Sequence, residues 1–345
     1  MAERNRIQMK LATWHWHIEI SSKCTLKCPR CARTEVPDTL VNTELKLDFF
    51  KRNFTPEFIQ NNVEKITFCG DDGDPIYAHD LIEVIKYFKS IKPVKFVIVT
   101  NGSYKSTEWW QQLGITLDGN DHIHFSLDGW DQASNEQYRV NSNWTSITAG
   151  ITAFRFVSDA YMTWAAIAFS FNQDRLKDME QLARKLKFDQ FQITRSTKFH
   201  KIYPAYPEND QLQPRDELIS SNYRFQREIV NLSGRKESAV GYETNLALYQ
   251  TAKEINGVKA LCGIGAKGLF INSQGDFFPC CWVANRYSHN NEWLDLGRSF
   301  NLNENSLDLV LKDQFWDEEF ENFSWTECKT KCNISVVNQQ YATEW

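Results

Sequence analysis

Cys24, Cys28 and Cys31 fall within eight positions of one another, in the stretch Ser21-Ser22-Lys23-Cys24-Thr25-Leu26-Lys27-Cys28-Pro29-Arg30-Cys31. Thiolates are soft ligands that suit zinc or iron–sulfur clusters, and a structural zinc site closes with four ligands. Three clustered cysteines leave one coordination position open. Cys28 and Cys31 alone have the Cys-x2-Cys spacing of a thioredoxin-like redox pair, which predicts thiol–disulfide exchange through those two sulfurs. Against that reading, Cys24 lies four residues before Cys28 on the same loop, and the loop follows the first of six strand patterns instead of opening a thioredoxin-sized domain. A second group, Cys262, Cys280, Cys281, Cys328 and Cys332, lies near the C-terminus, where four thiolates could hold either zinc in an interaction protein or an iron–sulfur cluster. Cys69, at a strand end, reads as a small buried hydrophobe.

The elements that must position these thiols alternate between strand and helix patterns from about residue 12 to residue 195. Strand-like runs are Trp-His-Trp-His-Ile-Glu-Ile, Lys-Ile-Thr-Phe-Cys, Lys-Phe-Val-Ile-Val-Thr-Asn, His-Ile-His-Phe-Ser-Leu-Asp, Trp-Ala-Ala-Ile-Ala-Phe-Ser-Phe-Asn and Gln-Phe-Gln-Ile-Thr. Helix patterns fall near 46–62, 79–91, 105–113 and 146–158, and over Arg175–Lys187. Six such alternations imply an α/β fold of parallel strands with right-handed crossovers, either an open doubly wound sheet or a full or partial barrel. His15, His17 and Glu19 share one face of the first strand, and His122, His124, Ser126 and Asp128 one face of the fourth. A polar face on successive strands predicts a lumen that holds cofactor and substrate; solvent-exposed antiparallel strands would alternate in the same way. Residues 196–255 predict a loop and two weaker helices, and Lys267–Trp282 a hairpin turning through Ser-Gln-Gly-Asp.

Cys-x3-Cys-x2-Cys just after a first β-strand resembles the signature of the radical S-adenosylmethionine enzymes. In that family three thiolates hold three irons of a [4Fe-4S] cluster, and the amine and carboxylate of S-adenosylmethionine chelate the fourth. Further motifs follow in the family's order at successive strand ends, where α/β barrels form their sites. Glu19 stands where members often have a strand-end glutamate. Phe68-Cys69-Gly70-Asp71-Asp72-Gly73-Asp74-Pro75 resembles the Gly-Gly-Glu-Pro turn whose backbone meets the methionyl amine, with Asp72 in place of the first Gly of the pair and Asp74 in place of the Glu. Val99-Thr100-Asn101-Gly102 and Ser126-Leu127-Asp128-Gly129 resemble motifs three and four, the latter implying ribose contacts, and Asn172 a strand-five asparagine near the cofactor. Arg30 departs from the pattern: an aromatic that packs on adenine usually precedes the third cysteine. The resemblance therefore implies cofactor contacts at Gly70, Gly73, Asp74, Asn101, Ser126, Asp128 and Asn172, and a partial (β/α)6 barrel over residues 1–200.

After a connecting segment at 201–255, residues 256–345 resemble the SPASM extension in its shortened twitch form. Gly275-x4-Cys280 opens it, and Cys262, Cys280, Cys328 and Cys332 complete one set of four, implying a second, auxiliary [4Fe-4S] cluster. Cys281 occupies the place of the catalytic aspartate of the sulfatase-maturing branch, which argues against that branch. In a strand it faces away from Cys280, either as an inert buried thiol or as a thiol that moves a proton or a hydrogen atom. What the resemblance implies is hydrogen abstraction from a peptide or protein side chain, with a small-molecule dehydrogenase or cyclase as the alternative, and an electron donor such as flavodoxin or ferredoxin. Peptide maturases of the family often carry an N-terminal leader-binding domain; a first strand by about residue 12 leaves no room for one.

Composition narrows the partners further. Lys and Arg total 39 against 44 Asp and Glu, a net charge of -5 without a basic run, which predicts no nucleic-acid partner. The N-terminus lacks a continuous apolar segment and nowhere do eighteen apolar residues run together, so a cytoplasmic protein without membrane attachment is expected. With 345 residues, 42% of them apolar, the chain can fill one barrel-sized domain and a smaller one.

Overall fold

The computed structural model describes residues 14–35, 37–38, 40–195, 199, 210–219, 226–238, 269–278, 281–284, 297–313 and 315. Strands β1 (Trp14–Ile18), β2 (Val63–Phe68), β3 (Lys95–Thr100), β4 (His122–Ser126), β5 (Tyr161–Ile167) and β6 (Gln190–Arg195) lie side by side in chain order, all parallel. The order contains no reversal, so right-handed crossovers carry every connecting helix to the same face. This is the winding of a barrel, and it decides against the doubly wound sheet.

The sheet continues at both ends. Strand β7 (Gln226–Asn231) pairs antiparallel with β6, where helix was expected. Its six residues alternate too briefly to mark a strand on their own, and the β6 edge supplies the missing partner. Strand β8 (Leu269–Ile271) adds parallel to β1, and β9 (Phe277–Phe278) turns back antiparallel to β8. The expected hairpin is there, closed by Gly275 at φ +89°, a conformation that favours glycine. It is continuous with the barrel sheet, supplying the strands β8 and β9 at its β1 end.

The crossover helices follow their local signals. In place of one helix over 46–62 the chain forms α2 (Leu47–Asn53) and α3 (Pro56–Asn62), after a first short helix α1 (Ala32–Glu35). Phe54 leaves helical geometry, Pro56 takes the first turn of α3, and Thr55 caps it by accepting the Phe58 N–H at 3.2 Å. Helices α4 (Leu81–Lys89), α5 (Thr107–Thr116), α6 (Gln132–Glu136), α7 (Trp144–Val157) and α8 (Leu176–Lys185) complete the outer layer. Between helices and sheet lies one continuous core that includes Trp16, Phe50, Phe54, Phe68, Phe88 and Phe96. Each side chain of this size contributes about 2 kcal/mol by leaving water.

The opposite face of the sheet is polar and buried: His15, His17, Lys65, Thr67, Lys95, His122, Thr163 and Gln192 are each less than 7% exposed. The alternation therefore marks a lumen and not a solvent-washed face. Among the described residues no helix is long and apolar enough to cross a membrane.

Candidate active site

The loop that leaves β1 carries the three cysteines over the C-terminal end of the barrel. Cys24 and Cys31 are half-buried and Cys28 is buried, and all three pack in one apolar cluster with Leu26, Tyr138 and Phe169. The Cys24 sulfur accepts the Leu26 N–H at 3.4 Å and the Asn101 side-chain N–H at 3.7 Å. Burial, reinforced by the charge of Asp74, pushes the Cys24 thiol up to about 12. A cation bound at the sulfur is what overcomes such a bias toward the protonated form. Among the described residues no three His, Cys, Asp or Glu side chains are arranged to hold a metal ion. One ion would need its donors to meet at a single point, whereas in a cluster each thiolate takes its own iron.

The loop after β2 docks against the cysteine loop. A Cβ on Gly73 would sit 2.2 Å from the Ser21 carbonyl oxygen and 2.4 Å from the Ser22 carbonyl carbon. A Cβ on Gly70 would meet the Glu19 carboxylate at 2.9 Å. Glycine at these two positions is thus required by loop-on-loop contact. Glu19 ties the arrangement: its Oε1 accepts the N–H groups of Asp72 and Gly73 at 2.7 and 3.2 Å, and its Oε2 accepts the Ser273 N–H of the β8–β9 turn at 3.5 Å. Burial first, and the nearby Asp72 charge second, push this carboxyl up to about 8.

Asp74 joins this loop to the end of β3. Its Oδ1 accepts from the Thr100 hydroxyl at 2.8 Å and the Ile76 N–H at 3.1 Å, and its Oδ2 accepts from the backbone and side-chain N–H groups of Asn101 at 2.6 and 2.5 Å. Burial pushes the Asp74 carboxyl up to about 6 against the pull of these donors. Asn101 in turn reaches the Cys24 sulfur, so three of the sequence motifs form one connected network.

The ends of β4 and β5 are joined in the same manner. Asp128, fully buried, accepts from Arg139 Nε at 2.6 Å and from the Ile167 N–H at 2.7 Å. Asn172 donates to the carbonyls of Asp128 and Ile167, both at 2.8 Å, and accepts the Phe169 N–H at 2.7 Å. Both Asp128 oxygens and the Asn172 amide are thus engaged within the protein, and each of these oxygens keeps acceptor capacity beyond the one bond it makes. The hydroxyl of Ser126, half-buried at the strand end, makes no hydrogen bond among the described residues.

Arg30 fills the place of the expected aromatic. It is buried, pairs with Asp210 and, at 3.5 Å, with Glu35, and lies 5.9 Å from the centre of the Phe199 ring. Phe199 itself packs edge-on to Phe169 beside the cysteines. Sequence reasoning missed Tyr138, Arg139, Phe199 and Asp210. Only Arg139 had a usable signal, a lone cation shortly after the fourth-strand motif; the Arg30–Asp210 contact spans far too much chain to be read locally.

Cys281 opens a short helix, Cys281–Ala284, packed against the main core. β9 ends at Phe278 and Cys281 stands in a helix and not a strand; its orientation relative to Cys280 involves a residue outside the described ones. Cys262, Cys280, Cys328 and Cys332 lie outside the described residues.

No family model matches the chain. Over 324 residues it is 22% identical to the antilisterial bacteriocin subtilosin biosynthesis protein AlbA of Bacillus subtilis (strain 168), covering 93% of this chain and 65% of that relative's length. The solved structure of Streptococcus suis SuiB bound to the precursor peptide SuiA superposes with a TM-score of 0.56 at 16% identity, over 92% of this chain and 69% of that one. Native anSMEcpe with bound AdoMet superposes at 0.52 and 14% identity, over 92% and 86%. These likenesses establish the fold.

Proposed function

We propose that this chain, whose fold is the partial α/β barrel of the radical S-adenosylmethionine enzymes, binds a [4Fe-4S] cluster on Cys24, Cys28 and Cys31 and modifies a peptide. The observation that carries this reading is the gathering of Cys24, Cys28 and Cys31 in one apolar cluster beside the strand ends, where Asn101 joins Cys24 to Asp74 and the charge of Arg139 joins Cys28 to Asp128. The donor set fits: soft sulfurs, N–H groups aimed at one of them, and the guanidinium of Arg139, whose charge reaches Cys28. Cluster and S-adenosylmethionine, when bound, supply a 5'-deoxyadenosyl radical after one electron arrives from a donor such as flavodoxin or ferredoxin.

The chain's own residues orient and exclude. Glu19 and Asp74 hold the loop at 70–74 against the cysteine loop and the end of β3. Ser126 offers a free hydroxyl for a ribose, Arg139 a cation that Asp128 holds in place, and Phe199 an aromatic face where Arg30 displaced the usual one. A peptide substrate is supported by the bacteriocin-biosynthesis role in the relative's name and by the peptides bound in the SuiB and anSMEcpe structures. An auxiliary cluster on Cys262, Cys280, Cys328 and Cys332 belongs to the same reading.

Anaerobically reconstituted protein given a reductant should convert S-adenosylmethionine to 5'-deoxyadenosine and methionine, measured by chromatography. Changing Cys24, Cys28 and Cys31 together to Ala should abolish this. Cleavage that persists in the triple variant would refute the assignment.

A further inference from the structure

Deep in the lumen, away from the cysteine pocket, lies a second group of charged side chains. Lys65 points to the same face as Cys69, four residues nearer the N-terminal end of its strand, about 13 Å deeper. Lys65 and Lys95 are register partners on β2 and β3, and they are only 6% and 2% exposed. Lys95 is fixed: its Nζ donates to Glu237 Oε1 at 3.1 Å and to the Ser238 carbonyl at 2.5 Å. Glu237 also approaches His122 Nδ1 at 2.7 Å, and His122 Nε2 lies 2.7 Å from the Thr163 hydroxyl. Lys65 Nζ, by contrast, makes no hydrogen bond or ion pair among the described residues.

Among the described residues the charges here do not balance. Two ammonium groups share one carboxylate, and that carboxylate is committed to Lys95 and His122. The neighbouring imidazoles stay neutral and neither add to the positive charge nor offset it: burial pushes His17 down to about 4 and His124 well below its ordinary range. A buried cation without a partner costs several kcal/mol, and a packing role would be met better by Met or Leu.

We propose that Lys65, with Lys95 beside it, forms the floor of the lumen as a carboxylate-binding site that takes an acidic group of the substrate. Burial first, and the charge of Lys95 second, push the Lys65 ammonium down to about 8, and a carboxylate seated beside it would reverse both effects. That the carboxylate is the substrate's rests on the function proposed above; that the site takes a carboxylate does not. A peptide could present a chain-terminal carboxylate or an Asp or Glu side chain.

Calorimetric titration of the full chain separates these sources and needs neither reductant nor turnover, so it stays interpretable if S-adenosylmethionine cleavage fails. The probes are N-acetylglycine for a terminal carboxylate, N-acetylaspartic acid α-methylamide for a side-chain one, and N-acetylglycinamide as the neutral control. At least one carboxylate should bind the wild-type protein, Lys65→Met should weaken it roughly tenfold, and Lys65→Arg should keep it within about threefold. If Lys65→Met does not fold, Lys65→Gln removes the same charge and must show the same loss. Absence of carboxylate binding at about 50 mM, equal binding by the neutral amide, or undiminished binding in the charge-removing variant overturns the proposal.

Discussion

Each carboxylate oxygen of Asp128 already has one partner within the protein, which gives this residue a structural task beside any ribose contact. It is the counter-charge of Arg139 in a fully buried setting, and its other oxygen closes the loop to Ile167. Removing one partner of such a pair strands the other charge. Asp128→Asn should therefore lower unfolding stability by about 3 kcal/mol, read by urea denaturation, with cofactor affinity falling as a consequence of the loosened Arg139. Ser126→Ala should do the reverse, weakening S-adenosylmethionine binding while leaving the urea midpoint in place. Unchanged stability in Asp128→Asn would restore the direct contact as the simpler account.

At the scale of elements, the site depends on loops seated on loops. The 70–74 segment reaches the cysteine loop because Gly73 has no side chain where Ser21 and Ser22 pass, and the Glu19 carboxylate collects N–H groups from that segment and from the β8–β9 turn. A backbone neighbour cannot swing aside as a flexible side chain can. Gly73→Ala should cost about 1–3 kcal/mol by overpacking and should lower the iron retained after reconstitution, since the cysteine loop must shift to admit the methyl group. Iron content equal to wild type in a stably folded Gly73→Ala protein would show that the two loops are not coupled.

For the whole molecule, the β8–β9 hairpin is the decisive connection, because it joins the barrel sheet at β1 and leads directly toward Cys280 and Cys281. Two four-iron clusters should give roughly eight irons per chain, and roughly four when Cys24, Cys28 and Cys31 are all changed to Ala, by elemental analysis of anaerobic protein. Zinc in place of four of those irons would make the C-terminal cysteines a zinc site.

The strand–helix alternation, the polar inner face and the order of the motifs were legible in the chain because each depends on neighbours two to four residues apart, where periodicity and side-chain type suffice. The three cysteines were legible for the same reason. Barrel winding was decided by strand order, which no local pattern encodes, and β7 by the edge it pairs with. Tertiary structure alone brought Asp210 and Phe199 to Arg30, bound Asp74 to Asn101, and enclosed Lys65 with Lys95 and one shared carboxylate. Those contacts join residues far apart in the chain, and their energies arise from burial and from the balance of charge within it, quantities that exist only once the sheet has closed around the lumen.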